Sequence, residues 1–207
     1  MGQGLVVSQR VPRHLCRRCH LHPNICVCDH CSAVPNQTPL TVLQHPSEVG
    51  RSKGTLRILE QCLTRLQVFV GETPAEFRQA GLGDNIPLAG TAVLFPGPDS
   101  QALEEADLQG IHHWVLLDGT WRKAAKILHL NRRIGELPRY HFAAPPPSRY
   151  VIRKAPGDHH LATAEAAGHL LQHLEPGLDT DPIHAAMAAL VTRQLAQIPA
   201  PLRDRYR

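Results

Sequence analysis

The sequence contains no apolar run close to the roughly 20 residues that a helix needs to cross a bilayer. Its opening residues, MGQGLVVSQR, also lack the apolar segment of a secretory signal peptide. No segment repeats itself along the 207 residues, which argues against a repeat architecture. These absences predict a cytoplasmic protein that does not associate with membranes.

The bulk composition is that of an ordinary globular protein. A hydrophobic fraction of 43% argues against wholesale disorder. The length allows one sizeable core, or one domain with a small appendage. The formal net charge is +4, and 14 histidines are counted as neutral in that figure. This balance permits an anionic partner without requiring one.

The six cysteines are distributed unevenly along the chain. Five of the six cysteines fall between residues 16 and 31, and in a cytosolic chain they do not predict a disulfide framework. Cys16-x2-Cys19-x6-Cys26-x-Cys28 places four soft ligands at close spacing, as a tetrahedral zinc site needs. Four thiolates leave no open position, so this pattern predicts a structural zinc ion, held by Cys16, Cys19, Cys26 and Cys28.

Other interpretations of this segment remain open. Cys31, His20 and His22 are rival ligands, and the cysteines could instead be free thiols or a redox switch. Cys62 stands at apolar spacing and is predicted to be a core thiol. Because so polar a segment cannot fold by apolar burial, metal binding would supply its folding energy. We therefore predict a tail and zinc knuckle over residues 1–34 and a second domain over residues 35–207.

Beyond the cysteines, the pattern alternates between short apolar runs and helical periodicity. We predict strands at 39–45, 67–71, 91–97, 113–118 and 139–143, and helices at 54–66, 102–108, 121–130, 163–174 and 181–197. Thr163 is the predicted N-cap of the fourth helix, and Asp181 that of the fifth. Buried strands separated by helices predict an α/β fold, with a mainly parallel sheet and helices on both faces.

One strand-to-helix corner, LLDGTW at 116–121, concentrates polar groups. Asp118 follows an apolar strand, at the sheet edge where open α/β folds bind ligands. Gly119 would allow close backbone approach, and Thr120 could cap the next helix. An ordinary Asp-Gly turn would produce the same pattern.

The helix after this corner carries a basic stripe. Arg122, Lys126, His129 and Arg133 recur at steps of three and four residues. Such a stripe can be a solvated face, or it can hold a phosphate backbone.

Six motifs in order resemble the DTW-domain family, the tRNA-uridine aminocarboxypropyltransferases. They are the CxxC…CxC knuckle, HPSE (45–48), LFPG (94–97), LLDGTW (116–121), YVIRKAP (150–156) and TAEAAG (163–168). The resemblance implies a SPOUT-like, knotted fold that binds S-adenosylmethionine. It further implies transfer of the 3-amino-3-carboxypropyl group to N3 of a tRNA uridine in the variable loop, with release of methylthioadenosine.

Two alternatives stay open. The chain could transfer the methyl group of the same cofactor to RNA, or it could be a zinc-containing RNA-binding protein without catalytic activity. A zinc hydrolase is disfavoured, since four thiolates leave no place for an activated water. The expected partner is tRNA, with the protein itself a monomer.

The resemblance also implies roles for individual residues. Asp118 is the catalytic candidate, to accept or orient the N3 proton, or alternatively to anchor the cofactor. Trp121 could stack on a base or anchor its helix. The predicted cofactor-binding residues are Leu94, Phe95, Gly97, Leu116, Asp118, Gly119, Thr120, Trp121, Thr163 and Glu165. The predicted RNA contacts are His45, Glu48, Arg51, Lys53, Arg122, Lys123, Lys126, Arg153 and Lys154.

Overall fold

The computed structural model describes residues 15–19, 21–83, 87–152 and 161–206, with side chains through residue 203. His20, a rival metal ligand, lies outside the described residues. So do Arg153 and Lys154, two of the predicted RNA contacts.

A six-stranded sheet forms the centre of the molecule. Its strands are β1 (Leu40–Gln44), β2 (Leu66–Val70), β3 (Thr91–Leu94), β4 (Gln101–Ala102), β5 (His113–Asp118) and β6 (Arg139–His141). Their order is β2-β1-β5-β3-β6-β4, and every neighbouring pair is parallel. The predicted parallel sheet is confirmed. The register of β1 against β5 pairs Gln44 with Asp118, so the two strand ends lie side by side.

The helices are α1 (Leu56–Cys62), α2 (Pro74–Gln79), α3 (Trp121–Leu130), α4 (Arg132–Gly135), α5 (Thr163–Leu174) and α6 (Asp181–Ala196). The predicted bounds of α3 are confirmed. The sequence did not predict α2 or α4, because helices of six and four residues are too short to show a period. A capping box of Thr73 and Glu76 around Pro74 was the available signal for α2.

Several local predictions were wrong. The predicted helix at 102–108 is instead β4 followed by one 3-10 turn, Leu103–Glu105, and the Glu104 side chain accepts a hydrogen bond from the Ala143 amide. The predicted helix at 54–66 ends at Cys62, because Leu63 is extended and forms a β-bridge with Val34.

Both N-cap predictions were also wrong. Ala162 caps α5, and Thr163 is its first residue. Thr180 caps α6, while the Asp179 side chain accepts a hydrogen bond from the Asp181 amide.

Apolar side chains leave the sheet on both faces. Along β5, Trp114 and Leu116 belong to the larger core, which contains residues of α1, α5 and α6. Val115, between them, belongs to a second core with Phe77 of α2 and Ile127 of α3. This alternation is what a strand buried on both faces requires, and it confirms helices on both sides.

Among the described helices, none combines the length and the apolar character that spanning a bilayer would take.

Candidate active site and metal centre

Asp118 ends β5 and is the central polar residue of the sheet edge. Its side chain is buried, with 5% of the residue exposed. Oδ2 accepts a hydrogen bond from Nε2 of Gln44 at 2.8 Å, and Oδ1 accepts one from the hydroxyl of Thr163 at 2.6 Å. The carboxylate therefore joins the ends of β1 and β5 to the first residue of α5. Such charge-assisted bonds hold its oxygens in a defined direction.

An aromatic pair follows two strand ends of the same sheet edge. Phe95 follows β3 and Trp121 begins α3, and their ring centroids are 5.3 Å apart at 43°. Trp121 is 38% exposed, so its indole both packs against Phe95 and faces solvent. A partly open aromatic surface of this kind suits a planar heterocycle.

The other predicted cofactor residues of the strands and the corner have different environments. The Leu116 side chain lies in the larger core, and Leu94 is half-buried against that core. The Gly97 amide donates to the Ser100 hydroxyl at 2.9 Å. Thr120 occupies the N-cap position of α3, although no capping bond from its side chain is seen in the described part of the chain.

Gly119 lies where two segments of the chain approach closely. A β-carbon there would stand 3.2 Å from Cβ of Lys123 and 3.5 Å from Cβ of His45. The first distance is tighter than usual for a β-carbon, and the second is an ordinary van der Waals contact. A side chain at this position would therefore need a small adjustment of Lys123.

Glu165 is buried within the start of α5. Its Oε1 accepts from the Arg149 amide at 2.7 Å, and its Oε2 accepts from the Ser148 hydroxyl and the Ala162 amide, each at 2.8 Å. The carboxylate thereby fastens the loop at 148–149 to the N-terminus of α5. The Glu165 carboxylate therefore keeps residues 148–149 next to the first turn of α5, where Thr163 contacts Asp118.

His45 begins a hydrogen-bonded chain across the turn after β1. Its Nδ1 accepts from the Ser47 amide at 3.1 Å, so a neutral ring carries its proton on Nε2. Nε2 lies 2.8 Å from Oε1 of Glu72, and Oε2 of Glu72 lies 2.7 Å from Nζ of Lys126. Hydrogen bonds from Lys126 and from His45 hold the pKa of Glu72 below its ordinary value of 4.5.

The predicted cationic contacts fall into two groups. Lys123 and Lys126 pair with carboxylates of the same edge, Lys123 with Glu48 at 2.8 Å and Lys126 with Glu72. Arg122 is exposed, while Arg51 donates to the Ser47 carbonyl and Lys53 to the Ile152 carbonyl. Within the basic stripe, Lys126 is therefore paired with a carboxylate, whereas Arg122 is exposed.

The four predicted metal ligands come together. The sulfur atoms of Cys16, Cys19, Cys26 and Cys28 all lie within 4.8 Å of one another. The two rival ligands within the described residues have other partners. The Cys31 thiol donates to the Val27 carbonyl, and Nδ1 of His22 accepts from the Asn24 amide. The four cysteines could hold one metal ion.

The electrostatics of the cluster fit a cation. Amide groups of Cys19 and Arg18 lower the pKa of Cys16 to about 6, whereas burial raises the pKa of Cys28. Four crowded sulfurs cannot all ionise without compensation, and a divalent cation would supply it. The cluster is also tied to the main fold. Asp29 pairs with Arg193 of α6 at 2.7 Å, and Val27 is buried in the larger core.

Comparison with known proteins shows the family of the chain. The DTW domain matches residues 13–195, which is most of the chain. The chain belongs to the DTW-domain family. Its sequence is 32% identical over 179 residues to a Mus musculus protein named tRNA-uridine aminocarboxypropyltransferase 2, covering 83% of this chain and 60% of that protein. No solved structure matches the chain.

Two further relatives carry the same name. The Macaca fascicularis protein is 30% identical over 178 residues, covering 83% of this chain and 60% of the relative. The Drosophila melanogaster protein is 31% identical over 169 residues, covering 79% and 67%. The chain thus spans about three fifths of the length of the two mammalian relatives.

Two residues that contact predicted site residues of this DTW domain were not predicted from the sequence. Gln44 holds Asp118, and Glu72 holds His45 and Lys126. Each residue comes at or just after the end of a predicted strand, and that position was the available signal.

The Glu72 network gives this DTW domain a defined acid sensitivity. A carboxyl group with a depressed pKa stabilises the fold above its unfolded pKa, and this contribution is lost as pH falls through the folded pKa. We expect the difference in unfolding free energy between wild type and Glu72→Gln to be constant near neutrality and to shrink below pH 4.5. Urea unfolding across this range measures it.

The control variant is Glu136→Gln, which removes an exposed carboxylate whose pair with Arg132 is 3.9 Å long. Its unfolding free energy should follow that of wild type at every pH. An identical pH dependence for both variants would contradict the role of the network.

Proposed function

We propose that this DTW domain transfers the 3-amino-3-carboxypropyl group of S-adenosylmethionine to N3 of a uridine in the variable loop of tRNA, releasing methylthioadenosine. The observation that carries the proposal is the similarity to three tRNA-uridine aminocarboxypropyltransferases over about four fifths of the chain. The buried carboxylate and aromatic pair at the sheet edge support it.

The carboxyl edge of the sheet offers groups that suit S-adenosylmethionine. The Phe95–Trp121 surface would receive the adenine, and the Asp118 carboxylate would balance positive charge beside it. When bound, the cofactor supplies an alkyl group on a cationic sulfur, which is already an activated leaving group. The main task of the protein is then to choose which carbon faces the nucleophile, and rigid placement achieves this.

Asp118 is the proposed catalytic residue. The N3–H of uridine would take the place of one of its two present donors, Gln44 or Thr163, and the carboxylate would orient or accept that proton. The remaining donor would keep the carboxylate in position. Uridine N3 becomes a competent nucleophile only once its proton is withdrawn.

The surface around the corner at residues 116–121 would hold the tRNA backbone. Arg122 and Arg51 are exposed cations near the corner, and Arg153 and Lys154 remain predicted contacts. Phosphate contacts of this kind position the RNA, whereas the uridine itself must be read at the sheet edge.

The four-cysteine cluster is the proposed structural zinc site. Its donors are all thiolates, a closed set that suits tetrahedral zinc and leaves no position for a reacting water. We further propose a SPOUT-like, knotted arrangement of the catalytic domain over residues 35–207, with the knuckle in residues 1–34, in a cytoplasmic monomer.

Nucleoside analysis of tRNA tests the proposed activity. Transcribed, unmodified tRNA is incubated with purified protein and S-adenosylmethionine, digested, and analysed by mass spectrometry. We expect a uridine that has gained an amine and a carboxylate, together with methylthioadenosine. Reactions without S-adenosylmethionine are the control.

The two alternatives give different results in the same assay. A methylated nucleoside with S-adenosylhomocysteine would assign methyl transfer instead. Unchanged nucleosides combined with tRNA binding would leave an RNA-binding protein and refute the proposed activity.

A further inference from the structure

A cavity lies away from Asp118, between α2 and the corner that joins α3 to α4. Its volume is about 340 Å³, within the range of about 300–1,000 Å³ common for ligand pockets. Its walls are mainly apolar and include Phe77, Leu82, Leu130 and Ile134. The proposed transfer reaction makes no use of this space.

The same cavity has cationic groups among its lining residues. Arg78 of α2 and Arg132 of α4 line it, and both are exposed. Arg132 approaches Glu136 only to 3.9 Å, and their side chains are 87% and 71% exposed, so this pair is weak. An apolar cavity with guanidinium groups selects a ligand that combines an apolar, planar part with an anionic part.

Asn131 adds a polar group to the lining. Its Nδ2 donates to the Glu72 carbonyl at 2.8 Å and to the Ile127 carbonyl at 2.7 Å. Both amide hydrogens thus hold the connection between α3 and α4, and among the described residues no donor to Oδ1 is found. Base edges carry N–H donors that match such an acceptor.

The position of the cavity relates it to the proposed transfer site. Trp121 begins α3 beside Asp118, and Leu130 ends the same helix in the cavity wall. A helix of ten residues spans about 15 Å, since each residue rises about 1.5 Å. Arg122 and His129 are exposed along it. At about 3.4 Å per stacked nucleotide, this distance corresponds to roughly four or five nucleotides of one strand.

We infer that this cavity binds an unstacked nucleotide of the tRNA substrate, its base between the apolar walls and its flanking phosphates on Arg78 and Arg132. The inference rests on the proposed function, because it takes tRNA as the partner. A polymer is favoured over a free small molecule, since the exposed Arg122 stands at the sheet-edge end of α3, away from the two arginines of the cavity. Such a contact would fix the register of the RNA relative to Asp118.

The test compares two double variants in tRNA binding without S-adenosylmethionine. Arg78→Gln/Arg132→Gln removes two charges at the cavity. Arg65→Gln/Arg203→Gln is the control. It removes two positive charges far from the cavity in sequence, one just before β2 and one in the C-terminal 3-10 segment. We expect the cavity variant to raise the Kd for tRNA about tenfold and to reduce the salt slope by about 1.4 to 1.8, because each of the two lost phosphate contacts removes about 0.7–0.9. Equal effects of the two double variants would overturn the inference.

Ultraviolet crosslinking of wild-type protein to tRNA tests the base contact independently. We expect a nucleotide remnant on the peptide that contains Phe77 or on that containing Leu130. Remnants confined to other peptides would overturn the inference. Thermal melting verifies that both double variants are folded.

These assays separate the inference from the proposed function. Nucleoside analysis of wild type decides whether the transfer occurs, whereas the binding assay requires no transfer. Modification of tRNA by wild type, combined with identical binding by the two variants, would refute the cavity contact alone. Specific binding through the cavity without modification would refute the transferase activity alone.

Discussion

Asp118→Asn is expected to lower the rate of the proposed aminocarboxypropyl transfer at least about a hundredfold while the protein stays folded, in line with the roughly 10²–10⁴-fold contributed by positioned acid–base groups. The substitution keeps the shape of the side chain but turns one acceptor into a donor. That donor would face Gln44 or Thr163, each of which now donates to the carboxylate. Nucleoside mass spectrometry with time measures the rate.

Folding should survive, because the Thr163 hydroxyl can turn to accept a hydrogen bond from the new amide. The mismatch costs about 1–3 kcal/mol of unfolding free energy if one donor is left unpaired. Urea unfolding of the variant, compared with wild type, checks this.

Thr163→Val is the matched control, because it tests how much the position of the Asp118 carboxylate contributes. It removes one donor to Asp118 but leaves the carboxylate and nearly the same volume. We expect a smaller loss, on the order of tenfold, as misplacement rather than loss of a reacting group would cause. An Asp118→Asn enzyme that transfers at the wild-type rate would rule out the catalytic role.

Cys26→Ser is expected to abolish metal binding and to lower stability strongly. Structural zinc in small Cys-rich segments contributes about 10–16 kcal/mol of apparent binding free energy, comparable with the whole stability of a domain. The loss should extend past the knuckle, because Val27 is buried in the larger core and Asp29 pairs with α6. Plasma mass spectrometry measures bound metal, and thermal unfolding measures the loss of stability.

Cys31→Ser is the control for this prediction. Cys31 lies near the cluster, but its thiol donates to the Val27 carbonyl instead. The variant should keep one metal ion per chain. A Cys26→Ser protein that retains its metal, or a wild type that contains none after purification with zinc present, would refute the structural metal site.

Much of the site could be predicted because its signals are local. The strand that ends at Asp118 and the helix that begins at Trp121 are adjacent in sequence, and each shows its own hydrophobic period. The four cysteines are also local, since they span only 13 residues. Spacing alone therefore identified the ligand set that the structure brings together.

The partners of the carboxylates could not be predicted in this way. Gln44 and Thr163 lie 74 and 45 residues from Asp118, and only strand register and helix docking bring them into contact. Glu165 is a predicted cofactor residue, and its bonds to the loop at 148–149 were not predicted. A sequence shows that a carboxylate sits at a strand end, but not which donors the rest of the chain presents to it.

The sequence by itself determined the periodic elements, the four closely spaced cysteines and the polar corner at residues 116–121. Tertiary structure alone decided which carboxylates are already bonded, which lysines are neutralised, and where the cavity between α2 and α4 opens. The physical reason is the distance along the chain over which each signal acts. Hydrophobic period and ligand spacing act over a few residues, whereas hydrogen-bond partners, ion pairs and cavities depend on how distant segments cross.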